Sequence, residues 1–254
     1  MDTRYWGPSG WRLLHLISFA ATSKNNKQIC AFFRTIPYIL PCKYCRQSFS
    51  EYIANDPIEC TTDSLPKWLW RMHNDVNAKL RGQHLHAEPD PTFKAVKDIY
   101  TERLAAGCTR TTFEGWEFLF SVAEAHPLSR EGKTSTPIHG HPAPETLTDP
   151  LERNRWNLME PEERLVYYRQ FWELLPRALP FPEWTTIWEG AEGDTGCRKL
   201  CLKYLWNIRR TMETKLELLN RTTYDSLCKE LKYHRSGCAK AVRGKTCRKK
   251  RSKA

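Results

Sequence analysis

Trp68-Leu69-Trp70-Arg71-Met72-His73-Asn74-Asp75-Val76-Asn77-Ala78-Lys79-Leu80 is the stretch on which the fold turns. Its apolar residues recur at helical rather than alternating spacing, which predicts one amphipathic helix. That spacing sets His73, Val76, Asn77 and Leu80 along one face, where a polar pair can meet a ligand while the apolar pair packs below it. Lys79 then stands within reach of a phosphate. Upstream lies the only C-x-x-C, in Pro41-Cys42-Lys43-Tyr44-Cys45. Two cysteines at this spacing close a small disulfide. At a helix start, which Pro41 tolerates, the free amide donors favour a thiolate, and Lys43 and Arg46 add positive charge. The same spacing is half of a zinc site. A zinc site needs two further ligands, and Cys60 and His73 form no matching pair, so no metal is expected.

The chain opens on Tyr5-Trp6-Gly7-Pro8-Ser9-Gly10-Trp11-Arg12-Leu13-Leu14-His15. Trp11 and His15, four apart, share a helix face that offers an aromatic surface and a hydrogen-bonding ring. Taken singly, each reads better as a core side chain, and only the joint pattern reverses that. Together with the dithiol and residues 73–80, this opening resembles the Erv/ALR family of FAD-dependent sulfhydryl oxidases. Members of that family read W-G-x-x-x-W-x-L-L-H, then C-x-x-C, then H-N-x-V-N-x-K-L, in this order and at about this spacing. The resemblance covers about residues 4–105.

It implies an all-α fold, a short helical bundle with a four-helix core plus a short helix, gripping FAD. It implies that Cys45 lies against the flavin and that Cys42 exchanges with an incoming disulfide or substrate thiol. Cofactor contacts are implied for Trp6, Gly7, Trp11, His15, Phe19, Trp68, His73, Asn74, Val76, Asn77, Lys79 and Leu80. Protein thiols are the implied substrates and dioxygen the acceptor, with hydrogen peroxide as product. The chain also departs from the family pattern. Trp70 stands where many members have a cysteine of a second, adenine-side disulfide, and Phe19 stands where many have a tyrosine. In these departures the chain resembles forms encoded by large DNA viruses more than mitochondrial ones, which implies action during virion assembly in a host cytoplasm.

The second half echoes the first. Lys67-Trp68-Leu69-Trp70 with Lys79-Leu80 reappears as Lys203-Tyr204-Leu205-Trp206 with Lys215-Leu216. Phe32, Pro37, Leu40 and Pro41 match Phe171, Pro176, Leu179 and Pro180, and Gly10-Trp11 with Leu14 matches Gly115-Trp116 with Leu119. The copy lacks the chemistry: Cys42 and Cys45 become Phe181 and Trp184, His15 becomes Phe120, and His73-Asn74 becomes Arg209-Arg210. The expected organisation is therefore an active module over 1–108 and a degenerate helical module over 109–220, with a proline-rich loop inserted at 126–150. The degenerate module is expected in the place of a dimer partner, with a homodimer as the other arrangement. An unrelated helical domain with accidental matches is the alternative.

Residues 221–254 form the expected basic tail. From Lys229 onward there are eleven Lys and Arg against one Glu, nearly all of the chain's net charge of +11. Such a composition predicts a solvated arm that attracts nucleic acid or an acidic partner. The tail also carries Cys238 and Cys247, the first candidates for a pair that shuttles electrons to Cys42 and Cys45. Cys197 and Cys201 come second, since residues four apart on a helix lie near the upper end of disulfide reach. Cys30, Cys60 and Cys108 read as buried thiols or as one staple plus a spare. No apolar run is long enough to span a membrane, and no apolar core follows basic residues at the start as in a secretory signal. A thiol relay without flavin and a basic-tailed nucleic-acid-binding protein are the rival functions.

Overall fold

The computed structural model of the chain describes residues 1–85, 88–108, 113–133 and 135–235. These residues are helical, with no strand among them. In the first half α1 (Thr3–Phe19), α2 (Asn26–Ile39), α3 (Lys43–Asn55), α4 (Ser64–Gly82) and α5 (Phe93–Ala105) follow in order. Asp2 caps α1 by accepting from the Arg4 amide at 3.0 Å, satisfying one of the donors a helix start leaves open. Leu40 precedes a proline and is extended (φ −54°, ψ 134°), which ends α2. Pro41 thus stands before the helix rather than in its first turn. Cys42 is itself the extended N-cap of α3, its carbonyl accepting from the amides of Cys45 and Arg46 at 3.0 Å each.

The second half is helical as well. It comprises α6 (Trp116–Glu124), α7 (Arg130–Lys133), a 3-10 turn (Pro144–Thr146), α8 (Pro150–Arg155), α9 (Pro161–Ala178), α10 (Pro182–Glu189), α11 (Arg198–Lys215) and α12 (Tyr224–Arg235). α9 opens on a capping box between Glu160 and Glu163 with Pro161 in its first turn, the arrangement that satisfies two donors reciprocally. Leu179 before Pro180 is extended (φ −63°, ψ 139°) and Phe181 caps α10 (φ −114°, ψ 128°), the same backbone path that Leu40 and Cys42 take.

The two halves meet through matching helices: α1 packs on α6 and α2 on α9. Phe32 stacks on Phe171, its counterpart in the repeat, with centroids 5.3 Å apart. Gly10 lies where a Cβ would come 3.1 Å from the Phe118 ring, and Gly115, its counterpart, where one would come 2.6 Å from Leu13. Leu13 and Phe118 are counterparts too, so the contact is reciprocal, as across a two-fold axis. At Gly115 the facing helix leaves no volume for a methyl group, and at Gly10 a methyl group would need the Phe118 ring to give by a few tenths of an ångström. The shared core holds Phe32, Phe33, Trp68, Phe118, Phe120 and Phe171, all 0% exposed, each contributing about 1.5–3 kcal/mol by burial.

Two expectations change. The segment 126–150 contains α7 and the 3-10 turn and leads into α8, so it is not wholly loop. The start of the basic tail is α12, whose Leu227 and Leu231 are buried in the core. It folds back on α1: the Asp2 amide donates to the His234 carbonyl at 3.0 Å and Tyr5 stacks on His234 at 4.1 Å. Arg235 and Arg198 both pair with Glu124, itself 1% exposed. The tail beyond Arg235, with Cys238 and Cys247, lies outside the described residues, as do Thr109 to Thr112 around the expected module boundary. No helix among the described residues is long and apolar enough to cross a membrane.

Candidate functional site

A cavity of about 610 Å³ opens between α1, α3, α4 and α5, within the size range of small-molecule and cofactor sites. α4 divides its faces as its spacing predicts. Leu65, Trp68, Leu69 and Met72 go into the core, while His73, Val76, Asn77, Lys79 and Leu80 line the cavity. Trp6, Gly7 and Trp11 of α1 form another wall, and Cys45 reaches the same space from the first turn of α3. Trp11 stacks on His73 with centroids 4.0 Å apart and planes at 10°. Arg4, Arg12 and Lys79 bring positive charge to the lining. Aromatic faces, a hydrogen-bonding edge and cations around one elongated space fit a flavin with its pyrophosphate.

Four predicted contacts lie outside the cavity wall. His15 is 3% exposed behind His73, with its Nε2 3.1 Å from His73 Nδ1, so it orients the ring that the cavity presents. Burial, and then the neighbouring His73, push the His15 pKa down to about 3. It is therefore neutral, with either ring serving as donor. Phe19 stacks on Tyr100 and Phe93 at the end of α1. Trp68 is wholly buried, its indole N–H donating to the Asp56 carbonyl at 2.8 Å. Asn74, partly exposed, is turned away from the lining. Cys42 does not line the cavity either and is partly exposed.

The structure adds wall residues that the motifs did not name. Ser48, Phe49 and Tyr52 line the cavity from α3, Tyr100 from α5 and Phe118 from the second half. Ser48 and Phe49 stand three and four residues after Cys45, and Tyr52 seven after, so helical spacing held that signal. Tyr100 and Phe118 arrive by tertiary packing and have no local signal. Burial pushes the Tyr52 phenol up to about 12, helped by Asp75 and Glu51, and Tyr100 likewise to about 12. Both line the site as neutral hydroxyls.

The place of the absent adenine-side cysteine is filled by polar ties. Trp70 donates to the Pro91 carbonyl at 2.9 Å, and Asp90 accepts from Asn77 and Arg81 at 2.9 Å each. These hold the chain entering α5 against the end of α4. The staple present is Cys30–Cys60, which joins α2 to the loop before α4. Of the expected shuttle residues, Cys197 caps α11 and is partly exposed. Cys201 is wholly buried, accepts from the Tyr168 hydroxyl at 3.2 Å, and has its thiol pushed up to about 12 by burial.

In the second half, Arg209 lies over Trp116 at 5.4 Å where His73 lies over Trp11. The space left beside Trp116 and Arg209 is about 230 Å³.

Known proteins match the first half. The model of the Erv1 / Alr family matches residues 8–98. The mitochondrial FAD-linked sulfhydryl oxidase of Saccharomyces cerevisiae is 34% identical over 32% of this chain and 45% of its own length. The probable FAD-linked sulfhydryl oxidase of Acanthamoeba polyphaga mimivirus is 27% identical over 30% of this chain and 59% of its own. A protein of Invertebrate iridescent virus 6 that carries the name FAD-linked sulfhydryl oxidase is 30% identical over 32% of this chain and 83% of its own length. The chain thus spans about half the length of the yeast and mimivirus relatives and most of the iridescent virus one. No solved structure gives a significant match. The motifs, the cavity and these relatives agree, and the chain belongs to the Erv1/Alr family.

Proposed function

We infer that the protein is an FAD-dependent thiol oxidase that makes disulfide bonds in protein substrates. One observation carries this: Cys45 of the dithiol opens into the same cavity as Trp11, His73, Val76, Asn77 and Leu80, while Cys42 lies off the cavity wall and is partly exposed. A substrate thiolate attacks the disulfide at Cys42, a mixed disulfide forms, and the substrate's second thiol resolves it, leaving Cys42 and Cys45 reduced. FAD, when bound, supplies the acceptor for that electron pair and hands it to dioxygen, giving hydrogen peroxide. Trp11 and His73 hold the ring system, Lys79, Arg4 and Arg12 face the phosphates, and Asn77 offers an amide to the nucleotide. His15, Phe19, Trp68 and Asn74 serve from behind as supports of these groups.

The second half is a degenerate module in the place of a dimer partner. What supports this is the reciprocal packing of Gly10 on Phe118 and Gly115 on Leu13, and of Phe32 on Phe171. Arg209 occupies the place of His73, and Phe181 and Trp184 those of the cysteines, so no second flavin enters there. The electron shuttle is Cys238 with Cys247, since Cys201 is buried and its thiol is held protonated. Because ordinary cytosol keeps thiols reduced, such an enzyme serves an assembly site needing its own disulfide source. The viral relatives favour virion assembly in a host cytoplasm.

The visible absorption spectrum and oxygen uptake with dithiothreitol, for the wild type beside Cys45→Ser, test the function. Flavin absorbance in both proteins with turnover only in the wild type is the expected result. A colourless protein prepared with FAD supplied would overturn it.

A further inference from the structure

Arg46 follows Cys45 directly and lies one helical turn after Cys42. It is 4% exposed. Its Nη1 donates to the Leu40 carbonyl at 3.0 Å and its Nη2 to Asn157 Oδ1 at 2.7 Å, while its Nε is buried with no hydrogen-bond partner. Both acceptors are neutral, and among the described residues no carboxylate pairs with it. Behind it Arg164 of α9, 5% exposed, is a second cation that no carboxylate among the described residues pairs with, its Nε donating to the Tyr38 carbonyl at 3.4 Å. Two buried cations side by side are costly without an anion. Burial pushes the Arg46 guanidinium down to about 10, and a negative charge on the sulfur of Cys42 or Cys45 acts against that.

Asn157 belongs to the second half, in the turn between α8 and α9, at φ +55°. An asparagine tolerates that left-handed conformation better than most residues. Its amide orientation follows from its partners. Oδ1 faces the guanidinium, while Nδ2 donates to Ser135 Oγ and to the Thr136 carbonyl, each at 2.9 Å. The Thr136 carbonyl also accepts from Lys43 Nζ at 2.9 Å, and Lys43 stands between the two cysteines. The second half therefore holds both cations that flank the dithiol. In the repeat, where Phe181 and Trp184 replace the cysteines, the position of Arg46 is Thr185. At this position a buried cation stands in the half that has the sulfurs, and a threonine stands in the half that lacks them.

We propose that Arg46 is the counter-ion of the reduced dithiol and that Asn157 is the positioning residue that aims it, so that the degenerate half sets the thiolate character of the active half. The proposal rests on the oxidase reading for the role of the dithiol. When a substrate dithiol is oxidised, its two thiols give up two electrons and two protons and join as a disulfide. The Cys42–Cys45 bond breaks and takes the two electrons. One proton goes to the Cys42 sulfur and the other to solvent, leaving Cys45 as a thiolate whose charge Arg46 balances.

The test follows alkylation of the reduced holoprotein by iodoacetamide against pH, in wild type, Arg46→Gln, Arg46→Lys and Asn157→Asp, with each cysteine read by mass spectrometry. The other titratable groups near the dithiol, Lys43 between the cysteines, Arg164 of α9, and His73 and Lys79 on the cavity wall shared with Cys45, stay constant across the series. In Arg46→Gln the reactivity midpoint of the dithiol moves up by about one pH unit or more, roughly a tenfold loss of thiolate at neutral pH. Arg46→Lys recovers part of it. Asn157→Asp leaves Arg46 in place but gives it a carboxylate, and the midpoint again moves up while thermal stability is kept. Oxygen uptake falls in the same proportion at neutral pH and recovers in alkali. Profiles of Arg46→Gln and Asn157→Asp that overlay the wild type would overturn the proposal, and Asn157→Asp decides alone if Arg46→Gln does not fold. A wild type without flavin or oxygen uptake would fail the oxidase reading separately, since alkylation needs neither.

Discussion

Acid should destabilise this protein through one buried ring. His15 is 3% exposed and its pKa is pushed from 6.5 down to about 3 by burial and by His73. A histidine with a depressed folded-state pKa binds a proton more readily when unfolded. Its contribution is therefore complete above pH 6.5 and is lost as pH falls below that value, until the folded ring also titrates near pH 3. Between pH 7 and pH 5 the unfolded ring gains most of a proton and the folded ring almost none, so the loss is about 2 kcal/mol. For a chain of this size that corresponds to roughly 4–8 °C in melting temperature. The perturbation that isolates it is His15→Gln, which keeps a polar side chain but removes the titration. Urea unfolding of wild type and variant at several pH values, with FAD saturating throughout, gives the two stability curves. The expected result is a gap between them that narrows by about 2 kcal/mol from pH 7 to pH 5. A gap that stays constant across this range would refute the assignment of a neutral, buried His15.

Gly115→Ala forces a methyl group to within 2.6 Å of Leu13 and should cost about 1–3 kcal/mol by overpacking, seen as a lower denaturation midpoint with cysteine chemistry intact. Cys30→Ser opens a disulfide with a sequence separation of 30, and the expected loss is about 3–4 kcal/mol in denaturant unfolding. Asp90→Ala releases Asn77 and Arg81 together and should weaken FAD retention on gel filtration while leaving dithiol alkylation unchanged. In the folded protein, exposed Cys228 should alkylate far faster than Cys201, whose buried thiol is pushed up to about 12. Comparable rates would contradict the burial of Cys201.

The sequence by itself determined the helical class, the cavity-facing side of α4 and the dithiol. Each of these is written in local spacing: helical period for residues 68–80, a turn of helix between Cys42 and Cys45, and a proline that ends α2. It also held the signal for a repeat, because Phe32, Pro37 and Leu40 recur with the same mutual spacing as Phe171, Pro176 and Leu179, each set after a glycine-tryptophan pair. Local spacing assigns a face to a residue but no depth. Trp68 and His15 therefore read as cofactor contacts and lie one layer behind the wall, where Asp56 and His73 engage them. The tertiary structure alone decided what the second half does to the first. Phe118 enters the cavity, Asn157 reaches Arg46, and Leu227 and Leu231 draw the start of a basic tail into the core. Those contacts join residues more than a hundred positions apart, or depend on a partner surface that must fold first, and no periodicity in a single segment encodes them.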